Sequence, residues 1–352
     1  MGNIKIKLVV WDLDNTLWQG TLSEGDDVRL TPGIQKIVDT LDKRGILQSV
    51  SSKNNFDDAY KKLKQFQLDH YFLYAKINWN AKSKNISEII RQINISPDTV
   101  AVVDDQAFEL DEIRFSLPEV TLIDAADIGN ILQMDCMNPT FITEDSAIRR
   151  KMYQSDIKRR MDEQKYLGTQ EEFLETLGMK MRIIEAKEED LKRAEELTVR
   201  THQLNSTGYT YSHEELKRFI YDDEYRLWIV DLKDIYGTYG KIGLVLLHCE
   251  KSKWTLKLLL TSCRVMNRGI GTTILEMIIN KALENRKELL AEFVLTDRNR
   301  IMFVTYSMLG FQVIEQHGTV QLLRYAMGKK YTISKYLDVQ DMTETCKIPH
   351  CV

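Results

Sequence analysis

The run Val9-Val10-Trp11-Asp12-Leu13-Asp14-Asn15-Thr16-Leu17-Trp18 constrains this chain more than any other stretch. The apolar residues from Ile4 to Val10 predict a buried strand, which ends by delivering two carboxylates two positions apart. Alternate residues of an extended chain share a face, so Asp12 and Asp14 converge while Leu13 turns back into the fold. Two acids this close repel unless a cation lies between them or one keeps its proton. Oxygen-only ligation at a strand end suits Mg²⁺ better than a softer metal. Alone, Asp-x-Asp is also at home in an ordinary turn, so distant stretches must supply the remaining parts.

They do so in a regular order. Thr31-Pro32-Gly33 predicts a helix start, with Thr31 as cap, leading into Ile34, Ile37, Val38 and Leu41 at helical spacing. Ile46 to Val50 predicts a second strand ending in Ser51-Ser52-Lys53-Asn54, and a helix follows from about Phe56 to Phe66. Tyr71 to Ala75 reads as a third strand and Lys82 to Ile93 as a helix. Thr99 to Val103 reads as a fourth strand running into Asp104-Asp105, then come a strand from Val120 to Ile123 and a helix near Ile128 to Leu132. Strands alternating with helices predict an α/β fold with a doubly wound parallel sheet, whose ligands bind beyond the carboxyl ends of the strands. Asp12, Asp14, Ser52, Asp104 and Asp105 would all face that crevice, and Lys82 could reach it.

The set suits phosphoryl transfer to a carboxylate. An attacking carboxylate and a phosphate repel by ~5 kcal/mol at contact, for an effective dielectric of ~20. A Mg²⁺ ion held by Asp12, the Asp14 carbonyl, Asp104 and Asp105, with the Lys82 ammonium, would cancel that repulsion. Asp12 is then the expected nucleophile, Asp14 the acid and base, and Ser52 a donor to phosphate oxygens. Singly, Ser52 is also a turn residue, Lys82 a solvated helix residue and Asp104-Asp105 a pair of caps.

At 352 residues with 43% apolar side chains, the chain is long enough for two globular units. A net charge of -4 gives no strong field to draw nucleic acid or a membrane surface. Five cysteines without paired spacing, and no signal peptide, predict a reduced, cytoplasmic setting.

From Asn138 to Lys165 the pattern turns polar, and Arg149-Arg150-Lys151 through Lys158-Arg159-Arg160 predicts a helix with a basic face. Such a face is either solvated or a dock for an acidic partner. Beyond it, strands are expected at Met179 to Ile184, Leu227 to Asp231, Ile242 to His248, Trp254 to Thr261, Leu289 to Leu295 and Phe311 to Ile314. Helices are expected at Glu188 to Arg200, after a capping box at Ser212 to Glu215, at Thr273 to Leu283 and at Asn299 to Leu309. The expected division is 1–137 for the first domain, 138–178 for a helical connector, 179–330 for the second domain and 331–352 for a tail. In that tail Cys346, His350 and Cys351 read as unstructured rather than as a metal site.

Two residue patterns in the second half could carry chemistry. Cys263 lies at a strand end beside Arg264 and ahead of a helix N-terminus, and both stabilise a thiolate; the alternative is an inert, buried cysteine. His202 could serve it as a base or be surface polarity. Arg268, Gly269 and Gly271 stand where a glycine turn would present amides to a phosphate.

The first half resembles the haloacid dehalogenase superfamily, through Asp12-Leu13-Asp14-Asn15-Thr16, Ser52, Lys82 and Asp104-Asp105, with intervals too short for a cap domain. The element order of the second half resembles the α+β fold of GNAT acetyltransferases, although Met266 stands where their glycine motif has Gln or Arg. Together the halves resemble the FkbH family, through Trp11 to Trp18, Ser52-Lys53-Asn54, Ile77-Asn78-Trp79, Lys82-Ser83, Asp104-Asp105 and Ser262-Cys263-Arg264-Val265. That family's Thr-Asn-Gln-Phe-Asn segment is Thr201-His202-Gln203-Leu204-Asn205 here, which would place Gln203 and Asn205 at the substrate. The resemblance implies an enzyme that takes a glyceryl unit from 1,3-bisphosphoglycerate and holds it as a thioester. It would then pass the unit to the phosphopantetheine thiol of an acyl carrier protein and remove the phosphate. Rival readings are a phosphatase with a binding module, an acyltransferase using acyl-CoA, and a non-catalytic scaffold.

Overall fold

The computed structural model describes residues 5–343. Cys346, His350 and Cys351 lie outside the described residues. The chain divides into two compact units between Gln154 and Ser155, inside the stretch assigned to a connector.

The first unit is built on five parallel strands: β1 (Leu8–Trp11), β2 (Leu47–Ser52), β3 (Lys76–Ile77), β4 (Val100–Asp104) and β5 (Thr121–Asp124), in the order β3-β2-β1-β4-β5. The crossovers carry α1 (Ile34–Lys43), α2 (Phe56–Gln65), α3 (Lys82–Ile93) and α4 (Ala107–Ser116). Helices cover both faces, so every residue of β1, β2 and β4 is buried, as a parallel sheet requires. The apolar stripe Ile34, Ile37, Val38 and Leu41 holds α1 on the sheet. Gln48, fully buried, accepts from Trp11 Nε1 at 3.1 Å and donates to the Val38 carbonyl at 2.9 Å. Strand order reverses between β1 and β4, and their carboxyl ends open a crevice there.

Only a small hairpin, Trp18–Gln19 against Arg29–Leu30, separates β1 from α1, so no cap domain covers the crevice from that side. Three local expectations shift. The Thr31 hydroxyl donates to the Thr16 carbonyl at 2.8 Å instead of capping, and α1 starts at Ile34 after Gly33, whose φ of 81° suits glycine. The aromatic run at 71–75 is not a strand: between a 3-10 turn at Asp69–Tyr71 and a left-handed Tyr74 it makes a single bridge, Phe72 beside Gln48, and continuous pairing waits until Lys76–Ile77. The expected helix near Ile128 is an extended 3-10 stretch, Ala125–Gln133. The basic helix α5 (Arg149–Lys165) begins here, with Arg149 donating to the Gly45 carbonyl at 2.8 Å and Arg150 forking onto Asp42 at 2.9 and 3.1 Å.

The second unit has an eight-stranded mixed sheet. Its strands are β6 (Met179–Glu185), β7 (Tyr225–Asp234), β8 (Gly237–Cys249), β9 (Lys253–Thr261), β10 (Glu288–Val294), β11 (Phe311–His317), β12 (Val320–Tyr325) and β13 (Leu337–Asp341). They lie in the order β11-β12-β10-β9-β8-β7-β6-β13, antiparallel except for β9 with β10 and β13 with β6. One face packs against α6 (Gln170–Thr176), α9 (Ile270–Glu284) and α10 (Arg300–Met308); the other packs against α7 (Glu188–Arg200) and α8 (His213–Tyr221). Both faces being covered, Leu258, Leu259 and Leu260 are all buried. The capping box opening α8 forms as expected, Ser212 Oγ accepting from Glu215 N and Glu215 returning to Ser212 N. Strands β12 and β13 were not anticipated, and β13 falls within the stretch assigned to a tail. Inside this unit Arg159 of α5 is buried, forking onto Asp234 at 2.6 and 3.0 Å under the Tyr239 ring. Arg149, Arg150 and Arg159 of the basic stretch are therefore committed to contacts within the fold, while Lys151, Lys158 and Arg160 are exposed.

Candidate active site

Three carboxylates from two neighbouring strands meet at the crevice. Asp12 follows β1, Asp104 closes β4 and Asp105 comes next, and one oxygen from each lies within 4.8 Å of the others. Lys82, the first residue of α3 and only 3% exposed, sets its ammonium 3.0 Å from Asp12 Oδ1 and 2.5 Å from Asp104 Oδ2. Asp104 Oδ1 also accepts from the Gln106 amide at 3.0 Å.

Burial dominates the electrostatics. It raises Asp12 to about 7, with Lys82 opposing the rise, Asp104 adding to it and the Ser52 hydroxyl hydrogen-bonding the carboxylate. Burial and then Asp104 raise Asp105 as well. For Lys82 burial works toward neutrality, but Asp12 and Asp104 outweigh it and keep the ammonium charged.

This site has an unmet demand for a cation. Asp105 Oδ1 is buried and has no hydrogen-bond partner among the described residues, and a single ammonium faces three acids. A hard, oxygen-seeking divalent ion such as Mg²⁺ fits that donor set.

Asp14 is held apart from this cluster. Its Oδ1 accepts from Trp18 Nε1 at 2.7 Å and the Leu22 amide at 3.1 Å, and its Oδ2 accepts from Asn54 Nδ2 at 2.9 Å. The side chain is thus not one of the converging metal ligands. Its remaining capacity lies on Oδ2, suited to proton transfer. Asn54, which also reaches Ser52 Oγ at 3.2 Å, orients Asp14, while Lys53 turns to Glu109 at 2.6 Å. Sequence reasoning missed Trp18, Glu109 and Glu112 as partners of the site.

In the second unit the expected residues are spread out. Cys263 and Arg264 are half-buried in the turn Cys263–Val265 after β9. Arg268 is buried in an ion pair with Glu163 at 2.9 Å, so its guanidinium is committed within the fold. Asn205 is fully buried and spends its amide on the loop, donating to the Thr201 carbonyl and accepting from the Thr207 and Gly208 amides. That loop is fastened to the sheet, Ser206 N donating to the Leu259 carbonyl at 2.9 Å and Ser206 Oγ accepting from Leu259 N at 3.0 Å. His202 and Gln203 lie on its exposed side. Gly269, at φ 71°, and Gly271 open α9 at a cavity of about 920 Å³ whose wall also includes Thr261, Met266, Thr305 and Tyr336, but not Cys263.

A family model of haloacid dehalogenase-like hydrolases matches residues 15–112. Among solved structures, the chain is similar to the N-terminal part of a Bacteroides fragilis protein, containing a phosphatase domain complexed with Mg. That similarity has 28% identity and a TM-score of 0.33, over 39% of this chain and 41% of that one. It is also similar to the PaiA N-acetyltransferase of Thermoplasma acidophilum in complex with coenzyme A, at 18% identity and a TM-score of 0.33, over 43% of this chain and 99% of that one. A GNAT family acetyltransferase from Streptococcus pneumoniae gives 20% identity and a TM-score of 0.32, over 41% and 97%. No curated protein matches the sequence. Residues 15–112, set on the parallel sheet that gathers Lys82, Asp104 and Asp105 around Asp12, thus form a haloacid dehalogenase-like hydrolase domain.

Proposed function

We propose that this domain is a Mg²⁺-dependent phosphohydrolase. The whole chain, on this reading, loads a glyceryl unit from 1,3-bisphosphoglycerate onto an acyl carrier protein in the cytoplasm and removes the phosphate, within polyketide or related biosynthesis. The observation that carries the reading is the meeting of Asp12, Asp104 and Asp105 around Lys82. A bound Mg²⁺ would be held by those carboxylates and would supply positive charge against the phosphate oxygens.

The chain's own groups do the rest. Asp12 attacks phosphorus as the ester oxygen leaves, and Asp14 Oδ2 gives that oxygen a proton. Asp14 then takes a proton from water, which attacks phosphorus, frees phosphate and restores the Asp12 carboxylate. Lys82 and the Ser52 hydroxyl balance charge around the transferring group. The absence of a cap between β1 and α1 supports a bulky, carrier-borne substrate. Cys263, for which an acyl phosphate is a suitable electrophile, is the proposed thioester site.

A second reading, a phosphatase whose second unit only binds, is favoured by one observation: Cys263 is not in the wall of the cavity at the start of α9. Mass spectrometry of the purified chain with bisphosphoglycerate, Mg²⁺ and a phosphopantetheinylated carrier separates them. The loading reading predicts a dephosphorylated glyceryl adduct on the carrier that disappears with Cys263→Ala. Full loading by that variant overturns the thiol assignment, and phosphate release without an adduct supports the second reading.

A further inference from the structure

Helix α3 carries Lys82 in its first turn, yet it has no cap of its own: the residue before it is Ala81, which offers no side-chain acceptor. The Ser83 amide is one of the N-terminal donors without an intrahelical partner. It donates instead to Glu112 Oε2 at 3.2 Å, while the Ser83 hydroxyl bonds Glu112 Oε1. Glu112 belongs to α4, which starts just after Asp104 and Asp105. One turn earlier on the same face, buried Glu109 binds Lys53, the residue after Ser52. Helix α4 therefore holds the Ser52 loop and the Lys82 helix to the strand end that supplies the acids.

We infer that Glu112 is a positioning residue for Lys82. The inference rests on the phosphohydrolase reading and adds to it a residue that touches neither substrate nor the converging carboxylates. A lysine has four rotatable bonds, and helix ends fray. Two bonds from Glu112 to Ser83 fix the turn from which the Lys82 side chain departs, and a carboxylate there also suits the positive end of the helix. The ammonium is thereby kept between Asp12 and Asp104.

The test is hydrolysis of p-nitrophenyl phosphate by the full chain, with Mg²⁺ titrated and melting followed in parallel. Glu112→Ala should lower kcat about tenfold, since a misplacement of ~1 Å can cost ~100-fold, while the Mg²⁺ concentration at half-activity does not rise. Glu112→Gln keeps an acceptor oxygen and should recover most of the loss. A Glu112→Ala chain with wild-type kcat and only a lower melting temperature makes Glu112 a structural cap and overturns the inference. So does a kcat restored by excess Mg²⁺, which would place its action on the metal-binding acids. If Glu112→Ala does not fold, Ser83→Ala, which removes the hydroxyl's bond to Glu112, carries the test with Glu112→Gln as its conservative control, and a wild-type kcat in Ser83→Ala overturns the inference. Asp12→Asn is assayed alongside: hydrolysis surviving in that variant refutes the phosphohydrolase reading itself.

Discussion

Replacing Asp12 by Asn should stabilise the metal-free protein while removing its response to Mg²⁺. Burial, against the pull of Lys82, raises the Asp12 carboxyl from 3.8 to about 7. In the folded chain it therefore keeps a proton that the unfolded chain has lost, so stability falls as pH rises from about 4 to about 7 and stays low above that. At ~1.4 kcal/mol per pH unit the cost reaches as much as ~4 kcal/mol above neutrality. Asn is a permanent stand-in for the protonated acid and escapes that cost. Differential scanning calorimetry in EDTA at pH 8 should place the first unit's transition of Asp12→Asn roughly 8–16 °C above wild type, the gap closing toward pH 4. Mg²⁺ at ~100 times its Kd should close most of that gap, since it adds ~2.7 kcal/mol to wild type alone. A variant that melts below wild type in EDTA, or gains as much from Mg²⁺, refutes the reasoning.

Other perturbations have equally direct readouts. Lys82→Met leaves Asp12 and Asp104 facing each other without a cation, and metal-free melting should show a loss of ~3–5 kcal/mol, partly restored by Mg²⁺. Gly269→Ala drives a Cβ into the Tyr336 hydroxyl at a φ of 71°, which should cost ~1–3 kcal/mol by chemical denaturation; an unchanged midpoint would refute both the clash and the backbone strain.

The parts legible in the sequence are those that repeat locally. Helix α3 occupies Lys82–Ile93 and α7 occupies Glu188–Arg200, the spans expected from the sequence. The carboxylates at the ends of β1 and β4 could be foreseen because a parallel sheet brings strand ends together. Contacts between distant residues could not. Glu112 meets Ser83 from 29 positions away and Arg159 meets Asp234 from 75, so no local pattern shows that either is spoken for. The run Tyr71-Phe72-Leu73-Tyr74-Ala75 misled for the opposite reason: its composition favours a strand, but the left-handed backbone at Tyr74 breaks the extension. Strand β13 was hidden because Asp338, Gln340 and Asp341 carry no apolar signal at a sheet edge.

That edge has a bearing on how the protein is made. Leu337 pairs with Met179 and Asp341 with Ile183, so the outer flank of β6 is closed by a segment synthesised long afterwards. At ~5–20 residues per second, roughly 10–30 s of translation separate the two. Throughout that interval a nascent chain displays an open row of amides and carbonyls, a template on which a neighbouring polypeptide could add a strand.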